Sequence, residues 1–542
     1  MKLQIASLRR VTGASASAFA LAALAQISAA SAEPAAAGTA PPLTAPLVPA
    51  TMLAAAADPT PPPSDAAGGT PTQDNSVPAV NGSGTKKILE KRPTPQAPAG
   101  AFTGLLGDFG GGERSRLRDE GITVNLHIVS EGAGNVTGGL PTGPSSVVRG
   151  TAIANELGGG IDVDFAKLFK APGAGALHVL VTTREGGNLA ATSIGSLVSV
   201  QEIYGDGQTT RFTYLEYEQP LFHNAVNVVF GKYNQQNDFI AGSSYWGGNL
   251  YCFYQNNNIC GTPAAVPINN GIVPGGTEGY DYYPTSQWGG RIRFNFGKSA
   301  YFQVAALQGN AYANSAVGGT YFGFNGAAGT ELPAEVGFTF RNAAGDPTGN
   351  LRFGAYYDTS TVEDYTNRLT PLPGIASNAA ALALHPQAFN HRGRNGGDIQ
   401  FDHTIGGSSL PGKTGTAFWA AGEYGDASTA LIGTMFDAGI VRHGTFAARP
   451  LDTFSIGYAQ ENFNKRLQNL EASLQSQGYA VPYNSRESAV EVNYGIAAAP
   501  WMLIRPGLQY VINPNGLNNN HIRGFTPPGD ALVLGLSSVI QF

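Results

Sequence analysis

Tyr214, Glu216 and Glu218 occupy every second position of the segment YLEYEQ, and that spacing has a chemical consequence. Residues two apart on an extended strand share a face, so one ring and two carboxylates project together while Leu215 and Tyr217 project the other way. Arg291, Arg293, Arg352 and Arg505 fall in similar segments and are assigned to the same polar face. Planar guanidinium donors, carboxylate acceptors and aromatic rings can together replace the hydration of a hydroxyl-rich molecule and cover its C–H surfaces. Taken singly, each of these residues also reads as an ordinary lining group of a polar cavity.

Catalytic chemistry is poorly served by the same residues. Two carboxylates on one strand point in parallel, whereas a glycosidase needs them on opposite sides of the scissile bond. H-E-x-x-H, G-x-S-x-G and the P-loop are all missing, and the eight histidines are scattered. A barrel lipase, whose Ser and His need not be close in sequence, is the remaining enzymatic alternative. Neither a metal nor a cofactor is expected, and the reading is of a non-enzyme.

The elements that must position these side chains are strands. Ile122, Val124, Leu126 and Ile128 alternate with Thr123, Asn125 and His127; Ile161, Val163 and Phe165 alternate with Asp162 and Asp164; Trp288, Ile292, Phe294 and Phe296 alternate with Arg291, Arg293 and Asn295. Similar runs begin near Ala176, Arg211, Ala225, Tyr301, Leu332, Gly349, Asp398, Thr416, Met435, Thr453, Glu487, Met502 and Ala531. That predicts about sixteen strands, an even number, in an all-β transmembrane antiparallel barrel. Short connections (Ala171–Gly175, Pro220–Asn224, Gly297–Ala300, Ala497–Trp501) alternate with long ones near Glu131–Gly159, Asn234–Thr285, Thr359–Gly397 and Asn464–Arg486. Short turns on one side and long loops on the other would place both chain ends in the periplasm. On the last strand Leu532, Leu534, Leu536, Ile540 and Phe542 share one face, and the chain ends on that aromatic residue.

The chain around this barrel fits export. Lys2, Arg9 and Arg10 precede an apolar stretch, and Ala30-Ser31-Ala32 matches a cleavage site, so residues 1–32 read as a signal peptide. Residues 33–105 are Ala/Pro-rich, including Pro61-Pro62-Pro63, and read as a disordered periplasmic linker; 106–542 form the barrel. A short amphipathic helix is expected between Gly111 and Gly121, stopped by that glycine. Mean hydropathy of −0.09 does not argue against a membrane barrel, whose alternation hides its apolar surface. A formal net charge of −6, more negative still once the signal is removed, disfavours nucleic acid as a partner. Cys252 and Cys260 would meet an oxidising compartment and are expected to form a small loop disulfide. Their loop also holds Tyr245, Trp246, Tyr251, Phe253, Tyr254, Tyr280, Tyr282 and Tyr283. It reads equally as a folded-in eyelet and as a self-packed external loop or subunit contact.

Four stretches carry a resemblance. Gly111-Gly112-Glu113-Arg114-Ser115-Arg116-Leu117 with Gly121-Ile122-Thr123 and Ser130-Glu131, the YLEYEQ run of Tyr214 to Gln219, the WAAGEYG run of Trp419 to Gly425, and Pro500-Trp501 leading to Gln509-Tyr510-Val511-Ile512-Asn513-Pro514 resemble the carbohydrate-selective porins of the OprB type. The resemblance spans the barrel but not the linker. It implies facilitated diffusion of mono- and small oligosaccharides such as glucose across the bacterial outer membrane, with no cofactor, and it adds Trp419 to the pore-lining set. Small sugars and outer-membrane lipid are then the partners, and a homo-oligomer is left open. The long linker and the long aromatic third loop depart from the simplest members. A general or ion-preferring porin and a structural or adhesive surface barrel are the competing readings.

Overall fold

In the computed structural model the period-two segments become strands, each hydrogen-bonded to its sequence neighbours in antiparallel register. The structure describes residues from 104 to 542 apart from breaks within connecting segments, the longest being 240–253, 260–282 and 364–389. The expected signal peptide, the expected linker up to residue 103 and both cysteines lie outside the described residues.

Along the chain come β1 (Ile122–Gly139), β2 (Thr151–Asp164), β3 (Ala176–Gly186), β4 (Thr209–Leu221), β5 (Val226–Tyr233), β6 (Gln287–Phe296), β7 (Ala300–Gly309) and β8 (Gly329–Arg341). They continue as β9 (Pro347–Glu363), β10 (Asn390–Gly407), β11 (Gly415–Tyr424), β12 (Ile432–His443), β13 (Thr453–Phe463), β14 (Arg486–Ala499), β15 (Met502–Ile512) and β16 (Gly529–Gln541). Every start expected from the sequence falls within or next to one of these strands, those near Tyr301 and Met435 close to its beginning and Asp398 well inside β10, which begins at Asn390. The ring closes where β1 pairs with β16, from His127 opposite Gln541 to Gly139 opposite Gly529. Closure leaves no sheet edge, and hydrocarbon requires this because it cannot hydrogen-bond an exposed strand.

Two faces follow from the pleat. On β2, Glu156 is fully buried toward the lumen while the adjacent Leu157 is 55% exposed on the outer surface. On β16, Leu534 and Leu536 face out, and Val533, Ser537, Val539 and Gln541 face in. Phe340, Phe401, Phe418 and Phe454 ring the short-turn end of the outer face, and Tyr424 and Tyr510 lie near its long-loop end. Such aromatic girdles flank the apolar band of a barrel that sits in a bilayer. Among the described residues no helix is long and apolar enough to cross a membrane.

Two long connections are shorter than expected; the one read as Thr359–Gly397 covers only 364–389, since Glu363 pairs with Asn390 and Thr361 with Arg392. The first long connection, read as Glu131–Gly159, is largely strand: Glu131 pairs with Ala154 and Gly134 with Thr151, so only 140–150 connects β1 to β2. Ser130, Glu131, Gly132, Gly134 and Asn135 looked like loop because they are small or polar. In a closed barrel that composition is compatible with a strand, since Glu131 and Asn135 face the lumen.

Before β1 stands the expected short helix, α1 (Glu113–Glu120). Gly121 ends it at φ 100°, where its N–H donates to the carbonyls of Leu117 and Arg118, so the left-handed stop is the one the sequence suggests. Just upstream, the Leu105 N–H donates to the Gln541 carbonyl and the Phe542 N–H to that of Leu126, extending the closing seam by one step.

Candidate functional site

The lumen face is dense in charge because the same alternation that greases the outside leaves Glu, Asp, Arg, Asn and Gln inside. Glu216, Glu218, Arg291 and Arg505 are buried there, and Arg293 and Arg352 are partly covered. Tyr214 also reaches the interior, beside a register shift of β4 against β3, and packs on a cluster containing Leu180, Ile203 and Tyr283. Trp419 is fully buried on the inner face of β11. The structure thus puts all eight anticipated side chains inside, but it distributes them around the ring.

On one wall a chain of polar contacts crosses β1 to β6. Asn125 donates to Asp162 at 2.6 Å, and His178 Nδ1 lies 2.6 Å from the other oxygen of Asp162. His178 Nε2 faces Glu218 at 3.4 Å; Asn227 donates to Glu218 at 2.7 Å and accepts from Arg291 at 2.9 Å. Arg291 also donates to Asp238 at 3.1 Å, just beyond β5. Glu218 and Arg291 are therefore engaged with the wall itself. Nearer the short turns, Arg293 lies over the Tyr301 ring at 3.6 Å, Tyr301 donates to Glu335 at 2.5 Å, and Arg352 faces Asp402 at 3.9 Å.

The third long connection enters the barrel. Its root, Phe239, packs on Val229, Tyr233, Ala305 and Leu307 of β5 and β7. Its middle reaches the far wall, where Tyr254 and Ile259 pack among Ala417, Trp419, Ala421, Val441, Ala459 and Ala489 of β11 to β14. The Gln255 and Asn256 N–H groups donate to Glu491, and the Asn256 amide to Gln509. Its return, Tyr283, donates to Glu156 of β2 at 2.7 Å. β5 and β13 are eight places apart in a ring of sixteen, so the loop crosses the lumen. Of the two readings offered by its aromatic content, the folded-in one holds for Tyr254 and Tyr283; Tyr245, Trp246, Tyr251, Phe253, Tyr280 and Tyr282 lie outside the described residues.

Sequence reasoning missed a second inward loop, between β3 and β4. Leu189, Ile194 and Val200 pack on Ala133, Val511, Ala531 and Val533, while the Leu197 N–H donates to Glu487 at 2.7 Å and Gln509 donates to the Val200 carbonyl at 3.0 Å. The signal was the apolar lumen-facing pair Ala531 and Val533, which a wholly polar lining would not contain. It also missed the small inner-face residues of β12 and β13. An added Cβ at Gly439 would lie 2.6 Å from the Tyr254 hydroxyl, and one at Gly457 would lie 2.7 Å from the Tyr254 ring.

A closed barrel with a charged lumen narrowed by two inward loops is the architecture of a selective channel. The profile of the carbohydrate-selective porin, OprB family, matches residues 149–542. The chain belongs to the OprB family of carbohydrate-selective porins. This OprB-family chain is 28% identical over 429 residues to Porin B of Pseudomonas aeruginosa, covering 76% of this chain and 87% of that protein. It is 25% identical over 458 residues to a protein described as putative porin QuiX of Acinetobacter baylyi, covering 81% and 93%. Among solved structures it is similar to the high-pH structure of Pseudomonas putida OprB at 26% identity and TM-score 0.68, covering 81% of this chain and 98% of that one. These relatives are channels rather than enzymes.

Proposed function

We propose that this porin carries mono- and small oligosaccharides such as glucose across the bacterial outer membrane by facilitated diffusion, with both chain ends in the periplasm. The observation that carries the reading is the third long connection, whose described residues Phe239, Tyr254, Ile259 and Tyr283 dock on walls on both sides of a charged lumen and so narrow it. A sugar can replace the water on those donors and acceptors with its own hydroxyls, whereas an apolar solute of equal size would displace that water and leave the wall groups unpaired. Arg293, Arg352 and Tyr214 are the contacts proposed for it. The orientation rests on the short turns, which face the periplasm in barrels of this class.

Single-channel recording with added glucose, maltose and succinate tests the reading. Interruption of the ion current by millimolar sugar supports it, and a current that sugars leave unchanged while succinate competes would make the chain an ion-preferring porin instead. The arginines of β6 and β9 on one wall are what favour that second reading. Liposomes that do not swell in isosmotic glucose would point to a barrel closed by its loops.

A further inference from the structure

His178 lies near the short-turn end of β3, far along the chain from the crossing loop, yet the contacts between them are continuous. Two carboxylates face its ring, Asp162 on β2 and Glu218 on β4, and Glu216 of β4 stands directly opposite in the ladder. Asp162 also takes the Asn125 amide of β1, which fills its second oxygen. A carboxylate only accepts, so Nδ1, 2.6 Å from Asp162, donates. Nε2 is 3.4 Å from Glu218, long for a hydrogen bond. Along the wall the contacts then run from Asp162 through His178, Glu218, Asn227 and Arg291 to Asp238. Asp238 also accepts the Tyr233 hydroxyl at 2.8 Å, and its backbone carbonyl accepts from Gln303 at 2.8 Å.

We propose that His178 is a positioning residue of the pore: acting through Glu218, Asn227 and Arg291, it holds Asp238 and so the root of the crossing loop, and thereby sets how far that loop closes the lumen. The inference rests on the reading of this chain as a pore. The members between Asp162 and Asp238 are buried, the two aspartates at the ends are partly exposed, and the chain is broken by changing any single member. His178 need not touch the solute.

Planar-bilayer recording in salt alone tests it, on protein whose heat-modifiable mobility shows a folded barrel. His178→Gln keeps a hydrogen-bonding side chain without the ring that spans Asp162 and Glu218, and should make brief high-conductance substates about tenfold more frequent, the factor expected from losing one charge-assisted bond. Asn227→Leu removes the middle link while leaving every charged residue of the chain in place and should show the same substates, so the test stands if the histidine variant does not fold. Combining His178→Gln with Asp238→Asn should add nothing to the more severe single change. Effects that multiply, or a quiet channel in either His178→Gln or Asn227→Leu, overturn the proposal. The readout is ionic, so a channel that shows these substates but is indifferent to sugar refutes sugar transport and leaves the relay standing.

Discussion

Trp419 and Tyr254 meet edge to face with ring centroids 5.8 Å apart, and the indole Nε1 donates to the phenol oxygen at 3.3 Å. One ring belongs to the wall and the other to a loop rooted on the opposite wall. The contact therefore fixes how far the loop spans the lumen. A 3.3 Å hydrogen bond is long, so most of the attraction is ring packing and burial.

Removing the loop's ring should widen the channel. Truncating a buried aromatic residue to alanine costs roughly 3–5 kcal/mol, whereas removing the hydroxyl loses its bonds to the Ile456 carbonyl and from the Trp419 indole at roughly 0.5–1.5 kcal/mol each. Tyr254→Ala should raise single-channel conductance severalfold and Tyr254→Phe much less. Equal conductance in both variants and the unaltered protein would show that this segment does not narrow the pore.

The same docking can be challenged from the wall. A Cβ at Gly457 would lie 2.5 Å from Ile259 Cγ2 and 2.7 Å from the Tyr254 ring. Valine suits a strand, so Gly457→Val should leave the barrel intact while expelling the loop. Faster amide exchange in residues 254–259 at unchanged barrel melting is the expected result; protection equal to that of the unaltered chain would refute it.

Outside the membrane, helix α2 here denotes the four residues Phe165–Leu168 and α3 the loop helix Lys465–Ser476. Burial pushes the Glu471 carboxyl of α3 up to about 8, against the one Asn484 N–H that it accepts at 2.8 Å. The folded state thus holds a proton that the unfolded state releases from 4.5 upward, and docking of α3 weakens as pH rises from there to about 8, then levels. Amide exchange of residues 465–476 should accelerate over that window, and Glu471→Gln should abolish the slope. A slope that survives the substitution assigns it to another group.

Asp452, in the turn between β12 and β13, has the opposite sign. Burial works against its charge, but Arg449, the Tyr494 hydroxyl at 2.8 Å and the Ala497 N–H at 3.0 Å hold its carboxyl below the usual 3.8. Its contribution is complete above 3.8 and is lost as pH falls through the lower folded value. Asp452→Asn should flatten the acid limb of thermal stability. An unchanged acid limb would mean that the Arg449 contact, half exposed to solvent, is screened to no effect.

What was legible followed from period two. Ile122 to Ile128 announces one greasy and one polar face and Leu532 to Phe542 a greasy face, and β1 and β16 pair in the closing seam. The two inward loops were less legible because their partners are inconspicuous. Ala417, Ala421, Gly439, Gly457, Ala459 and Ala489 face a lumen expected to be polar, and only the loop that covers them explains small apolar residues there. Register also decided which charges are held. Glu218 and Arg291 looked like solute contacts, and the strands place Asn227 between them.

That difference ranks the arginines of β6. Arg291 is buried and bonded to Asn227 and Asp238, so replacing it should disturb the loop root and ion conductance before it affects sugar. Arg293 is half-buried; its Nε donates to Asn295 at 3.0 Å, its plane stacks on Tyr301, and its terminal N–H groups make no hydrogen bond among the described residues. A guanidinium stacked on a ring is pre-oriented with its fork free, which suits a pair of sugar hydroxyls. Removing one charge-assisted bond of roughly 1.5–3 kcal/mol should weaken glucose block at least about tenfold in Arg293→Ala, with Arg293→Lys in between because it keeps the charge and loses the fork. Glucose titration of the ion current checks the order. Block as strong in Arg293→Ala as in the unaltered channel would move the sugar contact away from β6 altogether.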